Sequence, residues 1–219
     1  MEGLLKVKNS EVKLLTKKLI IFLLGLFIIQ CGVAIFLQIS IGSDPFTVLT
    51  KGISNLFNIS VGNGNLLLSV LVVLAIIFIF KEIKRINIGT VIALVFAGVF
   101  INLMNSILSP LNLINSHIVV KLILVLLSCL LVAIGFSMEN STKLGVAPND
   151  LFILILAEKT NIQYKWIRIF FDLTILIIGF LLCGTNTLGS TLGIGTIINA
   201  LIQGPMIQLL MDKVENLLW

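Results

Sequence analysis

The chain has 219 residues, of which 58% are hydrophobic and 11% charged, and its formal net charge is +5. Ordinary globular domains carry about 25% charged residues, so this composition excludes a normal water-soluble surface. The positive balance does not indicate nucleic acid, because the basic residues stand beside the ends of apolar runs, where they set membrane topology.

The N-terminus is basic, with Lys6, Lys8, Lys13, Lys17 and Lys18 ahead of an apolar stretch. That stretch, residues 19–39, is too long for the core of a typical signal peptide, and no small-residue cleavage pattern follows it. It reads as the first membrane span. Five more runs follow, at residues 61–80, 88–107, 118–138, 166–183 and 193–211. The predicted fold is therefore all-α, a polytopic membrane bundle of about six spans in one domain, residues 1–219. A five-span count stays open, because the second and fifth runs are short.

The distribution of basic residues tests the six-span reading. With a cytoplasmic N-terminus, the inner segments and their span ends hold Lys6, Lys8, Lys13, Lys17, Lys18, Lys81, Lys84, Arg85, Lys143, Lys159, Lys165, Arg168 and Lys213, which leaves Lys51 and Lys121 outside. Such a bias implies that both termini are cytoplasmic.

The two halves resemble each other. A shift of 103 residues pairs Gly32 with Gly135, Gly42 with Gly145, Pro45 with Pro148, and Asn58-Ile59 with Asn161-Ile162. A shift of 106 pairs Ile88-Gly89-Thr90 with Ile194-Gly195-Thr196, and Gly98 with Gly204. Residues 19–115 and 116–213 thus read as two copies of a three-span unit. With an odd span count per copy, the second must enter the membrane from the opposite side. That is an inverted repeat, as in many secondary transporters. A duplicated structural bundle without transport is the plainer alternative.

Each copy carries a G-x-x-P segment, Gly42-Ser43-Asp44-Pro45 and Gly145-Val146-Ala147-Pro148, followed by a stretch too short to span a bilayer. Glycine permits irregular backbone and proline suits the first turn of a helix. The predicted helices are re-entrant or interfacial, with N-termini able to face a ligand. Asp44 and Asp150 fit either simple capping and first-turn charge placement or a binding site.

Arg168 and Asp172 stand four residues apart, on one face of the fifth span. A charge at that depth costs at least ~2.5 kcal/mol, so Asp172 should face the bundle interior with Arg168 as its partner. An ion- or proton-coupled site and a structural ion pair are both consistent with this. Gln30, Asn102, Asn105, Asn199, Gln203 and Gln208 are further polar residues in the spans, and Asn102 and Gln208 are equivalent between the copies. Such amides line a cavity or, more commonly, bond between helices. Gly204-Pro205 predicts a kink in the sixth span.

Cys31, Cys129 and Cys183 lie in or beside apolar runs without metal-like spacing and read as small core residues, while the single histidine, His117, lies in a loop. No nucleophile–base set, phosphate loop or cofactor motif is present. The expectation is a protein that is not an enzyme and needs no cofactor.

The segments Gly42 to Thr47, Asn58 to Gly62, Ile88-Gly89-Thr90, Leu144 to Asp150, Arg168 with Asp172, and Gly193 through Pro205 together resemble the YczE/YyaS/YitT family of bacterial multi-pass membrane proteins. The family pattern places an aromatic residue and then Asp after the proline; here the copies read Phe46-Thr47 and Asn149-Asp150. The resemblance implies a bacterial inner-membrane protein of five or six spans and, for some members, a regulatory role in secondary metabolism.

The leading expectation is a secondary transporter of a small molecule or ion. Gly42, Asp44, Pro45, Gly145, Pro148, Asp150, Arg168, Asp172 and Asn199 form its candidate binding residues. The rivals are a regulator or scaffold that binds a partner protein, and the membrane subunit of a larger importer. The lipid bilayer is the expected environment.

Overall fold

The helices of the computed structural model follow the apolar runs, because a backbone in lipid must satisfy its own hydrogen bonds. The structure describes residues 2–183 and 192–219, with side chains described at 11–178, 181 and 192–219. Eight α-helices occur among the described residues: α1 Glu2–Ile39, α2 Pro45–Phe57, α3 Val61–Ala75, α4 Ile88–Leu108, α5 Ile118–Ser141, α6 Pro148–Thr160, α7 Tyr164–Cys183 and α8 Ile194–Leu218. A π-helical turn, Ile76–Phe80, extends α3.

Among the described residues, five segments are long and apolar enough to cross a membrane: Glu11–Ile39, Val61–Phe80, Ile88–Leu111, Ile118–Ser141 and Ile194–Leu218. The remaining expected span, 166–183, falls on the 20-residue α7, and the side chain of Cys183 lies outside the described residues. Two expected boundaries move. α1 starts at Glu2 rather than at residue 19, and α8 continues to Leu218 rather than stopping near 211. The helices outlast their apolar runs because the polar turns at Glu11–Lys18 and Asp212–Glu215 keep helical hydrogen bonding in water. α8 is helical through Pro205.

α1 packs along α5 and α4, α5 along α8, α3 along α4, and α7 along α8. Small residues set the α1–α5 approach. A Cβ on Gly25 would lie 2.7 Å from the Gly135 carbonyl, and one on Gly135 would lie 2.4 Å from that of Gly25. Such close contact is how helices associate where lipid removes the hydrophobic drive. Large apolar side chains such as Leu71, Val99, Ile123 and Ile177 face outward, as a lipid-facing surface requires.

α2 and α6 are each 13 residues long, about 20 Å, against a hydrocarbon core of about 30 Å. Both begin buried, at Pro45 and Pro148, and end exposed, at Phe57 and Thr160. Both stop at an asparagine in left-handed conformation, Asn58 and Asn161. Positive φ recurs at Ser40, Gly42 and Asn58 and again at Lys143, Gly145 and Asn161, each pair 103 residues apart. The tertiary contacts echo this spacing. The Gly195 N–H donates to Ile41 C=O at 2.9 Å, and the Gly89 N–H donates to Leu144 C=O at 2.8 Å. α2 lies against α7 and α3, and α6 against α7 and α3.

One end of the bundle is charged. Lys17 donates to the Leu218 carbonyl at 2.8 Å and lies over the Trp219 ring. Lys143 pairs with Glu215, Arg85 with Glu158, and Lys159 with Glu82. The Glu82 carboxyl is held below the usual glutamate range by its hydrogen bond from Lys159. The Arg85 guanidinium is raised by its bond to Glu158. The other end carries neutral polar contacts, among them Gln38 to Asn105 at 2.7 Å and Asn102 to Ser60 at 3.2 Å.

Candidate functional site

The interior between α2 and α6 is polar. Arg168, in the second turn of α7, is buried together with both of its carboxylate partners. Its Nε donates to Asp172 Oδ2 at 3.0 Å, closing the i, i+4 pair read from the sequence, and its Nη1 donates to Asp150 Oδ1 at 2.5 Å. Nη1 also reaches the Tyr164 hydroxyl at 3.3 Å, and that ring stacks on Phe136. One planar guanidinium thus holds Asp172 of its own helix through Nε while tying α7 to α6 through Nη1, which its fork geometry allows and a lysine's single nitrogen does not.

The two aspartates of the G-x-x-P segments play different parts. Asp44 is the N-cap of α2, and its Oδ1 accepts the Thr47 N–H at 2.9 Å. Its Oδ2 is buried with no partner. Asp150 does not cap α6, whose N-cap is Ala147 without a side-chain bond. It stands in the first turn, as the charge-placement alternative has it, and faces Arg168. The stronger opposite charge takes the carboxylate.

Asp44, Pro148, Asp150, Arg168 and Asn199 line a cavity of about 50 Å³, together with Gln30, Thr47, Asn65, Ser69, Asn149 and Gln203. At roughly 15 Å³ per water, that volume holds a few waters or one small ion, not a large solute. Asp172 lies behind Arg168 and does not line it. Gly42, Pro45 and Gly145 do not line it. Gly42 has φ +117°, and a Cβ there would meet the Thr196 N at 2.6 Å. Gly145 has φ +121°, and a Cβ there would meet Thr90 Oγ1 at 2.8 Å. Only glycine fits such a backbone at such an approach.

On α8 the amides are oriented by a directional chain. Gln203 Nε2 donates to the Cys129 carbonyl at 3.3 Å, and Asn199 Nδ2 donates to Gln203 Oε1 at 3.1 Å. A carbonyl only accepts, so Gln203 must present its nitrogen there and its oxygen to Asn199. Asn199 Oδ1 is then left buried and unpartnered, as is Gln30 Oε1.

The other expected amides bond between helices. Asn102 Oδ1 accepts the Gly62 N–H at 3.1 Å, and Gln208 Oε1 accepts the Lys165 N–H at 3.2 Å, each at the start of a span helix. Cys31 contacts Met104, and His117 Nδ1 accepts the Val119 N–H at the start of α5.

Glu139 is a residue that sequence reasoning missed. It is fully buried, its Oε2 accepts the Ala147 N–H at 3.3 Å, and its Oε1 has no partner. An acid at the end of an apolar run ordinarily reads as interfacial. The signal against that was the adjoining Gly145 loop, which folds back over it.

Helices of spanning length, a lipid-facing apolar surface and a buried ionic centre define a polytopic α-helical membrane protein. The chain belongs to a family of unknown function, DUF6198, whose pattern matches residues 16–212. It is 27% identical over 195 residues to the uncharacterised membrane protein YczE of Bacillus subtilis, covering 89% of this chain and 85% of that protein. It is 24% identical over 193 residues to the uncharacterised protein YyaS of the same organism, covering 88% and 92%. An uncharacterised protein of Haemophilus influenzae is 26% identical over 202 residues, covering 92% and 86%. The likeness to YczE and YyaS drawn from the motifs is thereby borne out. No solved structure matches the chain.

Proposed function

We propose that the protein is a secondary transporter of a small solute or ion, and not an enzyme. The observation that carries this reading is the buried Asp150–Arg168–Asp172 cluster beside a polar cavity, at the N-terminal ends of two re-entrant helices. Ionisable groups at membrane depth are expensive and mark substrate or ion pathways. Transporters commonly build midplane sites from discontinuous helices at a repeat interface.

In this reading the chain crosses the membrane six times as two inverted copies, 19–115 and 116–213. The matched φ pattern at Ser40/Lys143, Gly42/Gly145 and Asn58/Asn161 supports the repeat. The reciprocal bonds from Gly195 and Gly89 support its inversion, each joining one copy's loop to the other copy's third span. The charged end, with Lys17, Arg85 and Lys143, is cytoplasmic, and with it both termini, in a bacterial inner membrane.

The test is flux. Proteoliposomes of the full chain are screened against radiolabelled amino acids, sugars, organic acids and alkali cations, with Asp150→Asn and Asp172→Asn alongside. One solute should accumulate with the wild type and fall with both variants. A solute that both variants carry at the wild-type rate removes the acidic cluster from the pathway. If nothing moves while a partner protein binds tightly, the chain is a scaffold or regulator.

A further inference from the structure

The Arg168 cluster explains its own charges, but the opposite side of the cavity leaves three acceptors unexplained. Among the described residues, Asp44 Oδ2, Gln30 Oε1 and Asn199 Oδ1 are all buried and all without a donor, and all three residues line the same cavity. They come from three helices: Gln30 from α1, Asp44 from the start of α2 and Asn199 from α8. A buried acceptor left unmade loses its hydration for nothing, so three around one space call for a shared electropositive partner, a donor or a cation.

Two of the three orientations are fixed by neighbours. Asp44 spends Oδ1 on the Thr47 N–H, which leaves Oδ2 over. Asn199 must turn its nitrogen to Gln203, which leaves its oxygen over. Asn199 cannot turn its nitrogen into the cavity without breaking its bond to Gln203.

Charge points the same way. Asp150 and Asp172 pair with Arg168, and Asp44 lines the same cavity, so three buried carboxylates share one guanidinium. Granting each of the two helix N-termini about half a positive charge, about one negative charge stays uncompensated. Lys51 does not line the cavity.

We infer that Asp44, Gln30 and Asn199 form a binding site for one monovalent metal cation of about sodium's size. The inference deepens the transport reading and rests on it for the site's use, although binding is measured without flux. The ligand chemistry selects the ion. All three donors are hard oxygens, which suit alkali and alkaline-earth ions rather than soft metals. One carboxylate and two neutral amides supply too little charge for calcium, which takes six to eight oxygens, often including several carboxylates. Among the described residues no three His, Cys, Asp or Glu side chains gather to hold a metal. A lone proton on Asp44 serves two acceptors at most, whereas a cation draws in all three, and about 50 Å³ leaves room for it with a water.

The experiment uses the purified full chain in lipid nanodiscs, with choline chloride replaced stepwise by sodium chloride at constant ionic strength and pH. Ligand that binds only the folded state raises the unfolding midpoint in proportion to the logarithm of its excess over Kd. The midpoint is expected to rise with sodium and not with choline. Asp44→Asn keeps an N-cap acceptor for Thr47 but loses the charge, and should raise the half-effective sodium concentration at least about tenfold. Gln30→Met, similar in size but lacking the oxygen, should weaken the response without unfolding the protein. A midpoint indifferent to sodium, or one that moves with pH alone, overturns the site; so does an undiminished sodium response in both variants. Sodium binding without any solute flux would sink the transport reading and leave the site standing. Solute flux together with a midpoint indifferent to sodium would do the reverse.

Discussion

Arg168→Met should be the most damaging single substitution at the centre of the protein. The Arg168 side chain is 5% exposed, and those of Asp150 and Asp172 are 8% and 1% exposed. Solvent screening, which reduces surface pairs to about 0–1 kcal/mol, is therefore absent. Removing one member of a buried pair costs roughly 3–5 kcal/mol, because the partner charge stays behind. Here two carboxylates and the Tyr164 hydroxyl lose the same donor, so the upper half of that range is expected. Against a whole-domain stability of about 5–15 kcal/mol, this is a large fraction. Arg168→Lys should lose about 1.5–3 kcal/mol, since one nitrogen replaces two that now point to different acidic residues. The double variant Arg168→Met/Asp172→Leu should recover part of the loss, with a coupling of about 0.5–3 kcal/mol. Reversible unfolding in mixed detergent micelles, followed by tryptophan fluorescence, measures all three. A loss under about 1 kcal/mol for Arg168→Met, or strict additivity in the double variant, would refute the reasoning.

Three further outcomes follow from the same geometry. Gly42→Ala and Gly145→Ala each force a Cβ onto a positive-φ backbone and into Thr196 or Thr90. Each should cost about 2–4 kcal/mol in the same unfolding assay. Glu82, held below its usual range by Lys159, favours the folded state above the ordinary glutamate pKa. That contribution fades as pH falls through its lowered value, so acid should loosen the contact between the α3–α4 connection and the end of α6. Hydrogen exchange over residues 81–86 should show this in the wild type and lose its pH dependence in Glu82→Gln.

Much of the fold was legible because lipid imposes a simple rule: about 20 apolar residues make a helix. The Arg168–Asp172 pair was legible because helical spacing alone puts positions four apart on one face. Asn102 and Gln208 were legible as interhelical amides, and they bond the starts of α3 and α7. What stayed hidden depends on how α6 folds back. Asp150 meets Arg168 across 18 residues of chain, a contact that no local periodicity encodes. Glu139 reads as a boundary charge until the Gly145 loop covers it. The amide chain from Cys129 through Gln203 to Asn199 joins α5 to α8 and gives Asn199 its free oxygen, which residue type alone does not.

The central claim is that the cavity between α2 and α6 serves as a passage reached in turn from both sides of the membrane. Thr47 lines it from α2 and Asn149 from α6. Each is replaced by cysteine in a chain whose Cys31, Cys129 and Cys183 are changed to alanine. Labelling with a membrane-impermeant thiol reagent is then compared in right-side-out and inside-out vesicles. Alternating access predicts that each position reacts from both faces. Labelling of each from one face alone, or of neither, would contradict it.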